Sequence, residues 1–149
     1  PRARTPAMIL AKSKPCPCHS GKNYGDCCAP FHARTTTAPT PEALMRSRYA
    51  AFALGDAKYL LETLAADHED RKLPLEPLLA SYRQQKHTFR YVGLSVLATS
   101  VDGDKGWVTF RARMYEKGRD RSFTERSRFT KENGAWKYED VEETQEGAK

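Results

Sequence analysis

The sequence predicts an α+β fold in which a small metal-binding loop precedes about three helices packed on a four-stranded antiparallel sheet. Three observations lead to this prediction. All four cysteines of the 149 residues lie between positions 16 and 28. Apolar residues recur at helical spacing between residues 41 and 84, and from residue 88 onward they alternate with polar ones, as strands require. Helices followed by a run of strands are typical of an α+β domain.

Composition limits the class of protein. The chain has 39 % hydrophobic and 30 % charged residues, and its length suits one domain with an appendage. No run approaches the roughly 18 apolar residues of a membrane span, and no signal peptide is visible, so we expect a cytoplasmic protein without a membrane partner. Most of the formal net charge of +6 falls on residues 1–40, which is little for a dedicated nucleic-acid-binding protein.

The cysteine spacing predicts a zinc site. Four soft thiolate donors within thirteen positions are the ligand set that tetrahedral Zn²⁺ takes. Gly21 and Gly25 allow the chain to double back with positive φ. The predicted ligands are Cys16, Cys18, Cys27 and Cys28.

Two other uses of these cysteines are weaker. Disulfides within Cys-Pro-Cys or between adjacent cysteines would be strained, and a crossed pairing would need an oxidising compartment. A redox site usually shows Cys-x-x-Cys on a βαβ pattern, which this sequence lacks. His19 and His32 are reserve metal ligands, since the spacing of either would allow it to replace a cysteine.

The loop and three later stretches carry a family resemblance. Cys-Pro-Cys-His-Ser-Gly-Lys-Asn-Tyr-Gly-Asp-Cys-Cys (16–28) resembles the SEC-C zinc motif, named for the C-terminus of the secretion ATPase SecA. Its usual glycine after the second cysteine is His19 here, and the motif ends Cys-Cys where SecA has Cys-His. Residues 44–52, 125–129 and 131–136 resemble the bacterial YchJ (UPF0225-type) family. The resemblance implies a SEC-C loop followed by a cone-shaped, nuclear transport factor 2-like (NTF2-like) domain with a curved sheet.

The chain divides in order into five segments. They are a flexible basic lead-in (1–15), the SEC-C metal loop (16–32), a linker rich in Thr, Ala and Pro (33–40), the α+β domain (41–141) and a tail (142–149). Thr40 and Pro41 are suited to begin the first helix and Gly55 to end it. Asp56 caps a second helix, and a third covers residues 75–84.

The strands are predicted at 88–100, 105–117, 121–131 and 135–141, joined by turns at Asp102-Gly103, Gly118-Arg119 and Asn133-Gly134. These turns set a register in which Ala112 lies opposite Glu125, Phe129 opposite Tyr138, and Ser127 opposite Asp140. The predicted core face comprises Val108, Phe110, Ala112, Met114, Phe123, Phe129, Trp136 and Tyr138. Embedded in that face are Glu125, Ser127 and Asp140.

Glu125 and Asp140 have two interpretations. In this register they lie about 6–7 Å apart in an apolar hollow, where coupled, raised pKa values would suit acid/base chemistry. The resemblance implies isomerases and hydratases among relatives of this fold. The alternative, which we favour, is structural: Arg46 or Arg48 on the first helix forms an ion pair with Glu125. His68 is a candidate to replace a histidine that the family resemblance leads us to expect after the second helix.

The opposite face of the sheet is basic. Arg111, Arg113, Arg126 and Arg128 share it with Trp107 and Tyr115, which could bind RNA or another anion. Arg111 is expected opposite Arg126, a like-charge pair that an anion would relieve. Glu139 is the expected cross-strand partner of Arg128. Because residues 41–149 carry little net charge, RNA or another anion is a weaker candidate than a protein partner.

Two functions of different classes follow from these patterns. The first is a zinc-binding adaptor whose SEC-C loop docks on a protein or ribosome-like partner, with the domain as a scaffold or dimer surface. The second is a small-molecule binder or enzyme that uses the cavity around Glu125 and Asp140. A Cys₄ zinc site has no open coordination position, which favours the binding protein over the enzyme.

Overall fold

The computed structural model describes residues 10–146 and confirms the predicted α+β class. Its helices are α1 (Ala29–His32), α2 (Pro41–Leu54), α3 (Ala57–Glu62) and α4 (Leu75–Thr88), with short 3₁₀ turns at Tyr24–Asp26 and Glu69–Lys72. Its strands are β1 (Arg90–Asp102), β2 (Lys105–Glu116), β3 (Arg119–Asp120), β4 (Phe123–Glu132) and β5 (Ala135–Glu146). The sheet is antiparallel in the order β1-β2-β4-β5, and β3 pairs with the end of β2. In this part of the chain, no helix has the length and apolarity needed to cross a membrane.

Helix α2 begins and ends where its capping residues predict. The Thr40 hydroxyl accepts a hydrogen bond from the Ala43 amide at 3.0 Å, Pro41 occupies the first turn, and Gly55 ends the helix with φ +77°. The helix packs against β1, β2 and β5 through its apolar face. Tyr49 on that face donates a hydrogen bond to the Gly93 carbonyl of β1 at 2.8 Å. This helix therefore lies across the concave side of the sheet.

Helix α4 is longer than predicted. Asp56 caps α3 as expected, accepting from the Tyr59 amide at 3.1 Å. The prediction ended the next helix at residue 84, but α4 continues to Thr88 and β1 therefore begins at Arg90. The reason is local, because Gln85 and Lys86 have good helix propensity and the apolar alternation that marks the strand starts only at Phe89.

The predicted core face of the sheet is confirmed. Val108, Ala112 and Phe129 are at most 1 % exposed and pack with α2 residues in one core cluster. Gly106 marks the closest approach of helix and sheet: a Cβ there would lie 2.4 Å from Cγ of Pro41. Glycine is required at this position because the start of α2 occupies the space.

The register between β2 and β4 is shifted by two residues from the prediction. Glu125 lies opposite Phe110, and Ala112 lies opposite Phe123. The turn after β2 is Lys117-Gly118, both with positive φ, one position earlier than predicted. A slip of two residues keeps every side chain on its own face, so the predicted core face survives the error.

The pairing of β5 departs further from the prediction. Phe129 lies opposite Tyr138, as predicted, but a bulge follows and places Asp140 opposite Arg128 instead of Ser127. The extra residue turns Asp140 to the exposed side of the sheet. The strand also continues to Glu146 instead of ending at 141, so most of the predicted tail is strand and only residues 147–149 lie outside the described range.

Part of the predicted flexible lead-in is held against the cysteine loop. The Gly25 amide donates to the Lys12 carbonyl at 2.9 Å, and the Tyr24 amide donates to the Lys14 carbonyl at 2.7 Å. Pro15 and Asn23 form an isolated antiparallel bridge. The prediction of flexibility is therefore wrong for residues 10–15, whereas residues 1–9 lie outside the described range.

Candidate functional site

The four cysteines converge on one point. Their sulfur atoms all lie within 4.8 Å of one another, and all four thiols are free of disulfide bonds. The Cys18 and Cys27 sulfurs are 3.5 Å apart, and those of Cys27 and Cys28 are 3.9 Å apart. Cys16, Cys18 and Cys28 are buried, and Cys27 is partly exposed. This arrangement could hold a single metal ion.

Local backbone hydrogen bonds bring the two cysteine pairs together. The Cys16 amide donates to the Lys22 carbonyl at 2.9 Å, which closes the first half of the loop. Gly25 permits the second half to pass close to the lead-in, because a Cβ there would lie 2.7 Å from Cβ of Lys12. The Ser20 hydroxyl lies 3.1 Å from the Cys27 sulfur and can hydrogen-bond to it.

His19 occupies a backbone position that normally favours glycine. Its φ is +60°, in the left-handed region, where an ordinary side chain is strained. This geometry explains why the related motif usually has glycine after its second cysteine. The His19 ring compensates in part, since its Nε2 lies 3.3 Å from the Tyr91 carbonyl of β1.

Hydrogen bonds on two sides dock the loop on the domain. Arg46 of α2 donates to the Cys18 carbonyl at 3.0 Å and also pairs with Glu42 at 3.2 Å. His32 donates from Nε2 to the Ser47 carbonyl at 2.8 Å and accepts at Nδ1 from the Tyr24 hydroxyl at 2.6 Å. The loop is therefore part of the folded body, connected to α2 by polar contacts.

The two reserve ligands do not join the cysteine cluster. Among the residues described, the group of possible ligands contains the four cysteines and neither His19 nor His32. Both ring nitrogens of His32 are engaged in hydrogen bonds, and burial lowers its pKa, so the ring is neutral with its proton on Nε2. His32 joins the loop to α2 instead of binding a metal.

The sulfur cluster favours an ionised thiol at Cys18, whereas the pKa values of Cys16 and Cys28 are raised. Hydrogen bonds from Cys16 and Cys28 hold the pKa of the Cys18 thiol far below its ordinary value. The same kind of contact, with Cys16 and Cys18 as partners, raises the pKa of Cys28. The Cys18 thiolate is thus stabilised by the S–H groups of its neighbours. A metal cation placed among the sulfurs would replace those protons and stabilise the negative charge itself.

A cavity of about 750 Å³ lies between the helices and the concave face of the sheet. Glu125 lines this cavity, as predicted, but Asp140 does not, because the bulge in β5 turns it outward. The prediction that both carboxylates line the cavity is therefore wrong, although the charge of Asp140 still contributes to the raised pKa of Glu125. The cause is the extra residue in β5 after Tyr138, which exchanges the faces of the residues between it and a second register shift opposite Arg126 and Ser127.

The predicted ion pair between Glu125 and an α2 arginine is also wrong. Arg46 points to the metal loop, and Arg48 donates to the Leu60 carbonyl at 2.8 Å and to the Thr63 hydroxyl at 2.6 Å. Glu125 accepts instead from the Ser127 hydroxyl at 2.7 Å. Burial raises the pKa of Glu125, and the hydrogen bond from Ser127 offsets this only in part.

His68 lines the cavity, as its candidate role required. Its Nδ1 accepts a hydrogen bond from the Asp70 amide at 3.0 Å, and its ring stands 5.5 Å from that of Tyr138. Tyr82, which no sequence motif marks, lines the same cavity, and its hydroxyl donates to Asp70 at 2.7 Å. Its spacing on α4 marked only a buried helical face, which does not distinguish a core residue from a cavity wall.

Two of the four arginines on the predicted basic face are neutralised. Arg126 pairs with Glu142 at 2.9 Å, and Arg128 pairs with Glu142 at 3.4 Å and with Glu139 at 3.8 Å, the last as predicted. Trp107 also donates to Glu142, at 3.0 Å. The expected Arg111–Arg126 opposition is wrong, since the register shift places Arg111 opposite Thr124 and Arg126 opposite Thr109.

Glu142 was missed because the prediction ended the last strand before it. Its pKa lies below the ordinary value, chiefly because Arg126 donates a hydrogen bond to its carboxylate. In the described part of the chain, Arg111 and Arg113 form no ion pair with a carboxylate, so they are what remains of the anion face.

Comparison with known proteins identifies both parts of the chain. Residues 40–141 match the family described as "YchJ, middle NTF2-like domain", and residues 13–30 match the SEC-C motif. A UPF0225 protein of Streptomyces coelicolor is 46 % identical over 132 residues, which cover 86 % of this chain and 94 % of the relative.

Solved structures agree with this assignment. The solution structure of a SEC-C motif containing protein from Rhodopseudomonas palustris is similar, with a TM-score of 0.75, 43 % identity and coverage of 85 % of this chain and 96 % of the other. A crystal structure of a SEC-C motif containing protein from Psychrobacter arcticus has a TM-score of 0.74 at 24 % identity, covers 91 % of this chain and 86 % of the other, and supports the fold alone. The chain therefore belongs to the YchJ (UPF0225) family, with a SEC-C motif ahead of an NTF2-like domain.

Proposed function

We propose that this chain is a cytoplasmic zinc-binding adaptor that docks on a partner through its SEC-C loop. The observation that carries the proposal is the orientation of the loop. Its four sulfurs point inward to a common centre, whereas the lysines around them, Lys12, Lys14 and Lys22, are exposed. A metal ion would thus fix the shape of a small basic surface.

The sulfur geometry supports zinc as the ion. Zn–S bonds of about 2.3 Å in a tetrahedron place the sulfurs about 3.8 Å apart. Two of the six separations, Cys18–Cys27 at 3.5 Å and Cys27–Cys28 at 3.9 Å, lie on either side of that value, and all six are within 4.8 Å. Four soft thiolates also favour zinc over harder divalent ions. With four protein ligands the ion would be structural, holding Cys16 and Cys18 against Cys27 and Cys28.

The partner that best fits the loop is an acidic protein surface, including a protein of a ribosome-like assembly. The three exposed lysines carry charge but present few apolar groups, which suits a polar docking contact. RNA is the weaker partner, because Arg126 and Arg128 on the sheet are already paired with carboxylates. The domain would then act as the scaffold that holds the loop, alone or as a dimer.

The metal is tested by elemental analysis and native mass spectrometry of the full chain, with and without a chelator. We expect one zinc per chain, and its loss with the chelator or in a Cys27→Ser, Cys28→Ser variant. A different metal, or none after purification without chelators and addition of zinc, would contradict the proposal. The same mass measurement reports whether the chain dimerises.

The adaptor role is tested by affinity capture with three forms of the chain. The wild type should retain partners that are lost by the Cys27→Ser, Cys28→Ser variant and by a Lys12→Gln, Lys14→Gln, Lys22→Gln variant. A matched control removes three exposed lysines elsewhere: Lys58→Gln, Lys72→Gln, Lys117→Gln. If the loop variants capture the same proteins as the wild type and the control, the loop is not the docking surface.

A further inference from the structure

The cavity beneath α2 contains a buried cation with no carboxylate partner. Arg48 is 7 % exposed and lines the cavity. Its Nη1 donates to the Leu60 carbonyl and the Thr63 hydroxyl, while its Nε and Nη2 donate to no residue of the described range. No carboxylate of that range lies within ion-pair distance of it, although seven other such contacts occur there.

An arginine in this situation is costly to retain for stability alone. A guanidinium stays charged in proteins, and a buried charge without a counter-ion is strongly disfavoured. The ring of Tyr138, whose centroid is 4.9 Å from the guanidinium carbon, and that of Phe52, at 6.0 Å, offset part of this cost. The unused N–H groups are open to the cavity, because no fully buried side-chain nitrogen of the described residues lacks a hydrogen-bond partner, and they can donate to an entering carboxylate.

The remaining charged groups of the cavity are already engaged. Glu116 pairs with Arg121 at 3.1 Å, and Asp70 accepts from the Tyr82 hydroxyl. Glu125 accepts a hydrogen bond from the Ser127 hydroxyl at 2.7 Å, so its carboxyl group is engaged as well. Arg48 is the charged group of the cavity left to bind an anion.

Much of the remaining cavity wall is apolar. They include Met45, Phe52, Phe89, Phe110, Met114 and Phe123. Ligand sites in proteins typically have volumes of about 300–1,000 Å³, mostly apolar walls and a few polar anchoring groups. The 750 Å³ cavity, in which Arg48 is the guanidinium without a carboxylate partner, has that character.

We infer that the cavity binds a small monocarboxylic acid with an apolar or aromatic body, whose carboxylate is held by Arg48. A phosphate dianion fits less well, because Arg121, the second guanidinium of the described lining, is already paired with Glu116 and the walls would not solvate the extra charge. This site is separate from the SEC-C loop, so the inference does not depend on zinc or on the adaptor role. The ligand would complete the hydrogen bonding of Arg48 while its body covers the aromatic walls.

The inference is tested with three pairs of probes that share a skeleton and differ in the head group. Phenylacetate, 3-phenylpropionate and 4-phenylbutyrate are compared with the corresponding alcohols by NMR titration of the full, zinc-loaded chain. We expect the best acid to bind roughly ten-fold or more tightly than its alcohol, since a hydrogen bond to a charged group is worth about 1.5–3 kcal/mol. The shifted resonances should belong to residues around the cavity.

Two variants identify the anchor, with one control. Arg48→Gln should abolish the preference for the acid over the alcohol. Arg126→Gln removes the same charge from the opposite face of the sheet and should leave the preference unchanged. Ala112→Leu fills the cavity without touching a charged group and should weaken acid and alcohol alike, which keeps the inference testable if Arg48→Gln does not fold.

Three results would overturn the inference. They are the absence of cavity shifts with every acid at millimolar concentration, equal affinity for acids and alcohols in the wild type, or an undiminished preference in Arg48→Gln. Any of these would leave Arg48 as a structural contact between α2 and the end of α3.

Discussion

The SEC-C loop and the NTF2-like domain are held together by different means. The loop has a small buried cluster made largely of its own cysteines with Tyr24 and Ala29, whereas the domain has a continuous core between α2 and the sheet. The loop therefore depends on what its sulfurs bind, and the domain depends on apolar packing. We therefore expect the two parts to respond separately to perturbation except at the contacts that join them. These are the hydrogen bonds of Arg46, His32 and His19 and the packing of Ala50 of α2 against the cysteines.

Removing a ligand sulfur should give the largest effect and should be confined to the loop. In Cys18→Ser, the loop would lose its metal, because structural zinc sites contribute apparent binding free energies of about 10–16 kcal/mol. We expect fast amide hydrogen exchange throughout residues 16–28 and near-normal protection in β2 and β4. Ser20→Ala is the control, since it removes a contact to Cys27 but no ligand. Equal loss of protection in the sheet would show that the two parts are not separate.

A core truncation should produce the converse result. Leu44 is 2 % exposed, so Leu44→Ala should lower the free energy of unfolding of the domain by about 2–5 kcal/mol. Chemical denaturation measures this, and zinc content per folded chain should not change. Leu97, which is 58 % exposed, provides the control: Leu97→Ala should change stability by about 0.5 kcal/mol or less. Loss of zinc from folded Leu44→Ala would contradict the separation.

A substitution at His32 removes part of the hydrogen bonding that joins the loop to the domain. His32→Phe retains a ring beside Tyr59 but removes the hydrogen bonds to the Tyr24 hydroxyl and the Ser47 carbonyl. We expect a loss of about 1–3 kcal/mol in thermal or chemical unfolding, because two buried polar groups lose their partner. Zinc content should stay at the wild-type value. A fall in zinc content would mean that His32 is a ligand after all.

The pH dependence of stability tests the domain separately from the loop, through the buried carboxyl group of Glu125. Its pKa in the folded state is raised above the ordinary value of 4.5, chiefly by burial. The folded state therefore holds more protons than the unfolded state as pH rises from 4.5 to the raised pKa, so stability falls across that window and stays lower above it. Glu125→Gln should remove this fall and be slightly more stable than the wild type at neutral pH. Denaturant midpoints measured from acid to neutral pH would show it, and parallel curves for the two proteins would contradict it.

The smallest expected effect concerns the backbone of the loop. Because His19 has a left-handed conformation, His19→Gly relieves strain but loses the contact with the Tyr91 carbonyl, whereas His19→Ala loses the contact and keeps the strain. The glycine variant should therefore be more stable than the alanine variant by about 1 kcal/mol. Zinc retention during a competitive chelator titration measures the difference. The reverse order would mean that the strain is not real.

The two parts also differed in how far their sequence predicts them. The four cysteines are neighbours in the chain, so their spacing alone brings the sulfurs together, and the turn at Asn133-Gly134 likewise paired Phe129 with Tyr138 correctly. The bulge after that pair has no comparable local signal. It depends on packing of β5 against β4, and without it Asp140 was assigned to the wrong face.

The partner of Arg48 could not be predicted for a related reason. The expectation paired Glu125 with an arginine because buried carboxylates are normally neutralised. In the fold, Ser127 satisfies Glu125 from two residues away, and the end of α3 satisfies one nitrogen of Arg48. Hydrogen bonds to a backbone carbonyl such as that of Leu60 depend on tertiary geometry, which residue types do not reveal.

Helix α2 carries two arginines, separated by a single residue, that serve different ends of the molecule. Arg46 reaches out to the Cys18 carbonyl, and Arg48 reaches down into the hollow of the sheet. Because the helix is rigid, it cannot tilt without moving both arginine side chains. A partner that displaces the SEC-C loop would thus also change the shape of the cavity. A ligand in the cavity would in turn restrict the motion of α2, the helix that supports the loop.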